Sequence, residues 1–216
     1  VNLGKQKDPR VVLMVLRRGG DYLPEHVSIL VDQVEEHWPS DRELVPVCLT
    51  DQPIDDPRVH EIPLLTGHSQ GWWSKMQMFD PALGFGDLTI LYMDLDTRIV
   101  GDLSEVASQD QLIALRDFYR RNGLGSGLMC LPQDPREEVW EAWRADPDAH
   151  IRTHRRGGDQ RLLEALWLGR VEVGRWQEIL PGQVVSFKKH VRGKGTPPDA
   201  RVVCFHGRPR PWEAGW

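Results

Sequence analysis

Cysteine is scarce in this sequence. Cys48, Cys130 and Cys204 are the only three in 216 residues, an odd number, each set in an apolar stretch such as LMCL or VVCF. They read as buried free thiols, which argues against a disulfide framework and against secretion. No run approaches the roughly 20 apolar residues of a membrane span, and the opening VNLGKQKDPR is polar, without the apolar stretch of a signal peptide. The expectation is a soluble, cytoplasmic protein with no membrane span. Positive charge is in deficit too: 27 Lys and Arg stand against 32 Asp and Glu, a formal net charge of -5. No long-range field draws such a chain to a polyanion, so no nucleic-acid partner is expected. The basic runs RTHRR, 152–156, and FKKHVRGK, 187–194, read as solvated surface, with Lys188 and Lys189 available to a diphosphate. Internal repeats and low-complexity linkers are absent, so residues 1–216 are read as a single domain.

What is present alternates between apolar runs and amphipathic stretches. RVVLMVLRRG, 10–19, is a β-branched run stopped by Gly19 and Gly20, and Tyr22 to Trp38 is a helix stopped by Pro39. ELVPVCLTDQP, 43–53, and VHEIPL, 59–64, are further strands, and a helix spans Trp72 to Phe79. A strand lies within DLTILYMDLDTRIVGDL, 87–103, and two more are LIALRDF, 112–118, and GSGLMCL, 125–131. Helices follow at 135–147 and 157–169, the latter opened by Gly158 and Asp159; residues 170–216 are short strand-like pieces and Gly/Pro-rich loop. Apolar runs without strict alternation, spaced by helices, imply an α/β fold with a parallel sheet covered on both faces.

The sharpest chemical signal is LYMDLDTRIVGDL, in which Asp94 and Asp96 end a strand apolar enough to be core. Side chains at i and i+2 of an extended segment point the same way, so both carboxylates can reach one cation. Hard oxygen ligands suit Mn2+ or Mg2+, and such an ion can bridge a diphosphate and neutralise the charge of a departing one. The competing reading is a turn whose aspartates cap local amides. In open α/β sheets, ligands bind beyond the carboxyl ends of the strands, where this pair lies.

At this motif the sequence resembles the GT-A glycosyltransferases. VVCFHGRPRPW, 202–212, sharpens the resemblance to the family 8 type, the glycogenin and galactosyltransferase-like retaining enzymes, whose terminal signature is His, Gly, Lys, Pro and Trp. The resemblance implies a GT-A, Rossmann-like α/β fold, a mixed, mostly parallel sheet flanked by helices. It implies metal-dependent transfer of a hexose from a nucleotide-sugar, a UDP-sugar in the first instance, to a hydroxyl acceptor with retention; the acceptor is a glycan, small molecule or protein. It makes His206 the third metal ligand beside Asp94 and Asp96, and Gly207 the close approach to phosphate. Arg210 stands where the family has a lysine that binds the diphosphate, a departure that keeps the charge and adds a bidentate fork.

Three further segments match. In GGDQRLLEAL, Asp159 and Gln160 resemble the Asp-Gln pair that the family places near the anomeric carbon and the acceptor; Asp159 is also a natural helix N-cap. Lys75, in GWWSKMQMF, is similar to a basic position touching donor sugar or phosphate, the alternative being a solvated helix face. GLGSGLMCL resembles the Asn-Ser-Gly segment lining the donor sugar: Ser126 and Gly127 match, and Gly125 replaces the Asn. Tyr22, after the first strand, is placed to stack on the nucleotide base, with Asp21 beside it and Arg17 or Arg18 toward phosphate. Nine Trp, several in pairs, offer aromatic faces that serve a sugar site or a core. Two other readings stand beside transfer: a sugar nucleotidyltransferase, which needs a basic Gly-rich loop of which RRGGDY is a faint echo, and a nucleotide-sugar-binding module without turnover.

Overall fold

The computed structural model describes residues 7–65 and 71–216; most of the polar opening lies outside them. β1 (Lys7–Leu16) is followed by α1 (Pro24–Glu36), β2 (Arg42–Thr50) and β3 (His60–Pro63). Single-turn and 3-10 segments, including Gly71–Phe79, then lead into β4 (Ile90–Met93), β5 (Thr97–Ile99), the short α2 (Ser104–Ala107), β6 (Ile113–Arg116) and β7 (Leu124–Leu131). After α3 (Gln133–Ala145), α4 (Pro147–Thr153) and α5 (Gly158–Trp167), the chain ends in β8 (Gly174–Arg175), α6 (Trp176–Ile179), β9 (Val184–Ser186), a π-helical turn at Phe187–Val191, and β10 (Val202–Cys204).

A seven-stranded sheet has the order β3-β2-β1-β4-β7-β6-β8, and a three-stranded sheet the order β5-β10-β9. β7 is antiparallel to both of its neighbours, while the β1–β2, β2–β3, β1–β4 and β6–β8 pairs are parallel. The expected mixed, mostly parallel sheet is present.

The lack of alternation in the strands has a simple cause: both faces of the large sheet are covered. Val12, Met14 and Leu16 of β1 pack in one cluster with Val27, Leu30, Val31 and Val34 of α1. Val11 and Leu13, their neighbours on the opposite face, pack with Met76 and Phe79, Trp143 of α3, and Leu162 and Trp167 of α5. Burying each such side chain contributes on the order of 1.5–3 kcal/mol. These two layers hold the strand ends, and hence the residues beyond them, in fixed positions. Among the described residues no helix is long and apolar enough to cross a membrane.

The Trp72 to Phe79 segment is 3-10 rather than α-helical. α4 is a helix not expected from the sequence, overlapping the basic run 152–156 only at its end; Asp146 caps it by accepting from the Ala149 amide at 2.8 Å, and Pro147 opens it.

Candidate active site

The ends of β1, β4, β6 and β10 and the reversed β7 open onto one cavity of about 930 Å³. Its walls include Tyr22, Lys75, Asp94, Asp96, Ser126, Asp159, Gln160, His206, Gly207 and Arg210, but neither Lys188 nor Lys189. Within it the side chains form separate bonded groups.

The first group centres on Lys75. Its ammonium lies 2.7 Å from Asp94 Oδ1 and 3.5 Å from Asp159 Oδ2, and it donates to Ser126 Oγ at 3.4 Å. Ser126 in turn donates to Asp159 Oδ2 at 2.7 Å. Burial alone would depress the lysine, but the charges of Asp159 and Asp94 outweigh it and hold the ammonium above its ordinary range. The solvated-face alternative for Lys75 fails here: its side chain is only 14% exposed. Tyr92, two residues before Asp94 on the same strand, donates to Asp94 Oδ1 at 2.6 Å. Burial first, then the Asp94 charge, push this phenol well above its usual range, so it stays a donor. The i, i+2 spacing was a signal for Tyr92 that the sequence reading passed over.

Two glycines make room for this group. Gly127 lets the Asp94 carboxylate lie close, since a Cβ there would stand 3.1 Å from Oδ2. At Gly125 a Cβ would meet Leu115 Cβ at 3.1 Å. That crowding offers a physical reason for the missing Asn: a Cβ at this position requires Leu115 to give by a few tenths of an ångström.

The second group centres on Arg210. It donates to Asp96 Oδ2 at 2.6 Å and to the Tyr22 hydroxyl at 2.6 Å, and its other nitrogens reach Asp21 Oδ2 at 3.1 and 3.2 Å. Tyr22 itself donates to Asp96 Oδ2 at 2.9 Å, and its ring lies 4.8 Å from the Arg210 guanidinium carbon. The Asp96 carboxyl is raised from its usual range to about 7, by burial first and Asp94 second, with Arg210 and the Tyr22 hydrogen bond opposing. Cys204, read from sequence only as a buried thiol, lines the cavity and pairs with Thr97 across β10 and β5, one residue beyond Asp96.

The third group holds His206. Its ring stacks on Phe118 at 5.2 Å between centroids and meets the Tyr119 ring edge-on at 5.3 Å. Nε2 shares a 2.6 Å hydrogen bond with Ser186 Oγ. Burial, then the Lys188 charge, lower its pKa to about 4, so the imidazole is neutral at neutral pH. Lys188 donates to the His206 carbonyl at 2.5 Å, rather than projecting freely toward a phosphate. Gly207 adopts φ +72, the left-handed region that favours glycine.

The structure therefore joins Asp94 with Asp159, Lys75 and Ser126, and Asp96 with Tyr22 and Arg210, but brings His206 into neither group. Among the described residues, no three His, Cys, Asp or Glu side chains stand together as a ready metal cluster. The donor chemistry still suits a hard divalent ion at two carboxylates, the arrangement by which such ions are held together with substrate phosphates. Gln160 donates to Asp117 Oδ2 at 3.0 Å, which fixes its amide at the rim.

No protein-family model and no curated protein matches the chain. Among solved structures it is similar to the apo-form glycosyltransferase GlyE of Streptococcus pneumoniae TIGR4, with a TM-score of 0.64 and 15% identity over 94% of this chain and 56% of that one. It thus spans little more than half of GlyE. It is also similar to the galactosyltransferase LgtC in complex with donor and acceptor sugar analogs, with a TM-score of 0.58 and 13% identity over 94% of this chain and 89% of that one. An active-site mutant of LgtC aligns equally far, with a TM-score of 0.59 at 12% identity. The fold is therefore that of these glycosyltransferases, as the family 8-like resemblance implied.

Proposed function

We propose that the chain is a glycosyltransferase that moves a hexosyl group from a nucleotide-sugar, a UDP-sugar, to a hydroxyl acceptor with retention at the anomeric carbon. One observation carries the reading. Asp94, Lys75, Ser126 and Asp159 form a single bonded network in a cavity at the strand ends of a glycosyltransferase-like fold.

In this reading Asp94 and Asp96 hold a divalent cation, Mn2+ or Mg2+, with the donor diphosphate. When bound, the ion would offset the negative charge that builds on the leaving diphosphate. His206 would join the set through Nε2 by exchanging its bond to Ser186 for the ion. Arg210 and Lys75 supply further positive charge to the phosphate side, and Gly207 leaves backbone exposed to it. Tyr22 and Asp21 border the nucleotide. Ser126 orients Asp159, whose carboxylate faces the sugar. In the transfer, the bond from the anomeric carbon to the diphosphate oxygen breaks, its electron pair leaving with the nucleotide. A bond to the acceptor oxygen forms, and the acceptor proton passes to the departing diphosphate oxygen. Asp159 and the Gln160 amide oxygen stabilise the positive charge on the anomeric carbon between those events. The cavity, about 930 Å³, lies at the upper end of the range of about 300–1,000 Å³ for ligand sites, in keeping with a donor as large as a nucleotide-sugar.

The test is turnover of a panel of UDP-hexoses with Mn2+ present, followed as UDP release, in the wild type and in Asp94→Asn and Asp159→Asn. At least one donor should turn over, and each variant should lose about 100-fold or more in kcat. Equal turnover in both variants would overturn the assignment. Proton NMR of the product reads the anomeric configuration.

A further inference from the structure

Beside the polar floor of the cavity stands an aromatic side chain that none of the bonded groups uses. Trp72 is 53% exposed, unlike its neighbour Trp73, which is buried against Trp143 with ring centroids 5.3 Å apart. It is nonetheless firmly seated. A Cβ on Gly158 would fall 2.2 Å from Trp72 Nε1 and 2.3 Å from Cδ1, so the indole lies directly on the bare backbone of that glycine, whose φ is +56. Only glycine allows this contact, on both conformational and steric grounds.

The contact places one aromatic face immediately beside Asp159 and Gln160 at the start of α5. The rim continues from there: Gln160 is bonded to Asp117, and two residues on Tyr119, 63% exposed, also lines the cavity. The Asp117 carboxyl is held below its usual range: burial would raise it, but amide hydrogen bonds from Tyr119 and Arg120 and the Arg120 charge prevail. The rim thus offers one half-open, fixed aromatic face beside the Asp159 carboxylate and the Gln160 amide, the latter held by Asp117, which is itself paired with Arg120 at 2.7 Å.

That combination fits a particular ligand chemistry. A pyranose has an apolar C–H face to lay on a ring and hydroxyls around its edge for carboxylates and amides. A tyrosine ring could stack but carries one hydroxyl where the edge of a pyranose carries several, and a serine or threonine side chain has no face to stack. We propose that Trp72, seated on Gly158, is the platform for the acceptor, and that the acceptor is a pyranose. The proposal rests on the glycosyltransferase reading and narrows its acceptor to a carbohydrate.

The experiment compares UDP release without acceptor to release with methyl glucoside, galactoside, mannoside or xyloside, and with a serine-containing or tyrosine-containing peptide. It is run on the wild type, Trp72→Ala and Trp72→Phe. At least one pyranoside should stimulate the wild type. In Trp72→Ala the ratio of stimulated to acceptor-free turnover should fall about 10-fold, through KM for the pyranoside, within the range a lost apolar contact commands. Trp72→Phe, which keeps an aromatic face, should recover most of it. Stimulation by peptide but by no pyranoside, or a Trp72→Ala ratio and KM like the wild type, overturns the proposal while leaving the transferase reading intact. Absence of any UDP-hexose turnover overturns both.

Discussion

Arg210 Nη1 donates to Asp96 Oδ2 at 2.6 Å across 114 residues of sequence, tying the terminal loop to the end of β4. The two side chains are 17% and 5% exposed, so neither charge is well solvated without the other. Asp96 would be left buried beside Asp94 with one cation fewer. Breaking such a pair by removing one partner costs about 3–5 kcal/mol when the remaining charge cannot be discharged.

Here it can be discharged, which gives the first prediction its pH dependence. Asp96 already takes up a proton at about 7 in the folded protein. Arg210→Met should therefore destabilise the protein by about 1 kcal/mol more at pH 8, where the wild-type pair is ionised, than at pH 5, where Asp96 is protonated in both proteins, since discharging a carboxyl of pKa about 7 at pH 8 costs about 1.4 kcal/mol. Denaturant unfolding at the two pH values measures this. Adding Asp96→Asn should remove most of the pH difference; an equal loss at both pH values would mean that the charge pair contributes little.

Gly125 offers a second prediction. Restoring the family's side chain in Gly125→Asn forces a Cβ to 3.1 Å from Leu115 Cβ. Overpacking of this kind costs about 1–3 kcal/mol. Thermal unfolding should report the loss, and Leu115→Ala in the same chain should return part of it. If Gly125→Asn is as stable as the wild type, crowding is not what keeps the position bare.

The third concerns His206. With its pKa lowered from 6.5 to about 4, the unfolded chain takes up a proton that the folded chain does not as pH falls between those values. Stability should then decline as pH drops through 6.5 toward 4 on account of this residue. Histidine NMR, assigned with His206→Asn, should find one imidazole titrating near pH 4. A His206 value near 6.5 would contradict the packed, neutral ring against Phe118.

Much of the fold was legible because it is a matter of local pattern. Runs such as VVLMVL declare strands buried on both faces, and the stops at Gly19, Pro39 and Gly169 bound their elements. The site was legible where it hangs on those elements: Asp94 and Asp96 at the end of β4, Ser126 in β7, Asp159 in the first turn of α5. β8, β9 and β10 are two or three residues long, too short for a period to register. What binds the site together is long-range and invisible to spacing. Nothing in FHGRPRPW announces that Arg210 reaches Asp21 and Asp96, or that the His206 ring finds Phe118 and Ser186. Gly158 was read as a helix start; its role under Trp72 depends on a neighbour 86 residues away in sequence.

The central claim is that Asp94 and Asp96 serve a nucleotide-sugar diphosphate through a divalent ion, and titration of UDP by calorimetry, with Mn2+ and again with EDTA, tests it most directly. UDP should bind with Mn2+ and lose at least about 10-fold in affinity on chelation, a difference of about 1.4 kcal/mol, with Asp94→Asn insensitive to the metal. Failure of UDP to bind under either condition would contradict the account.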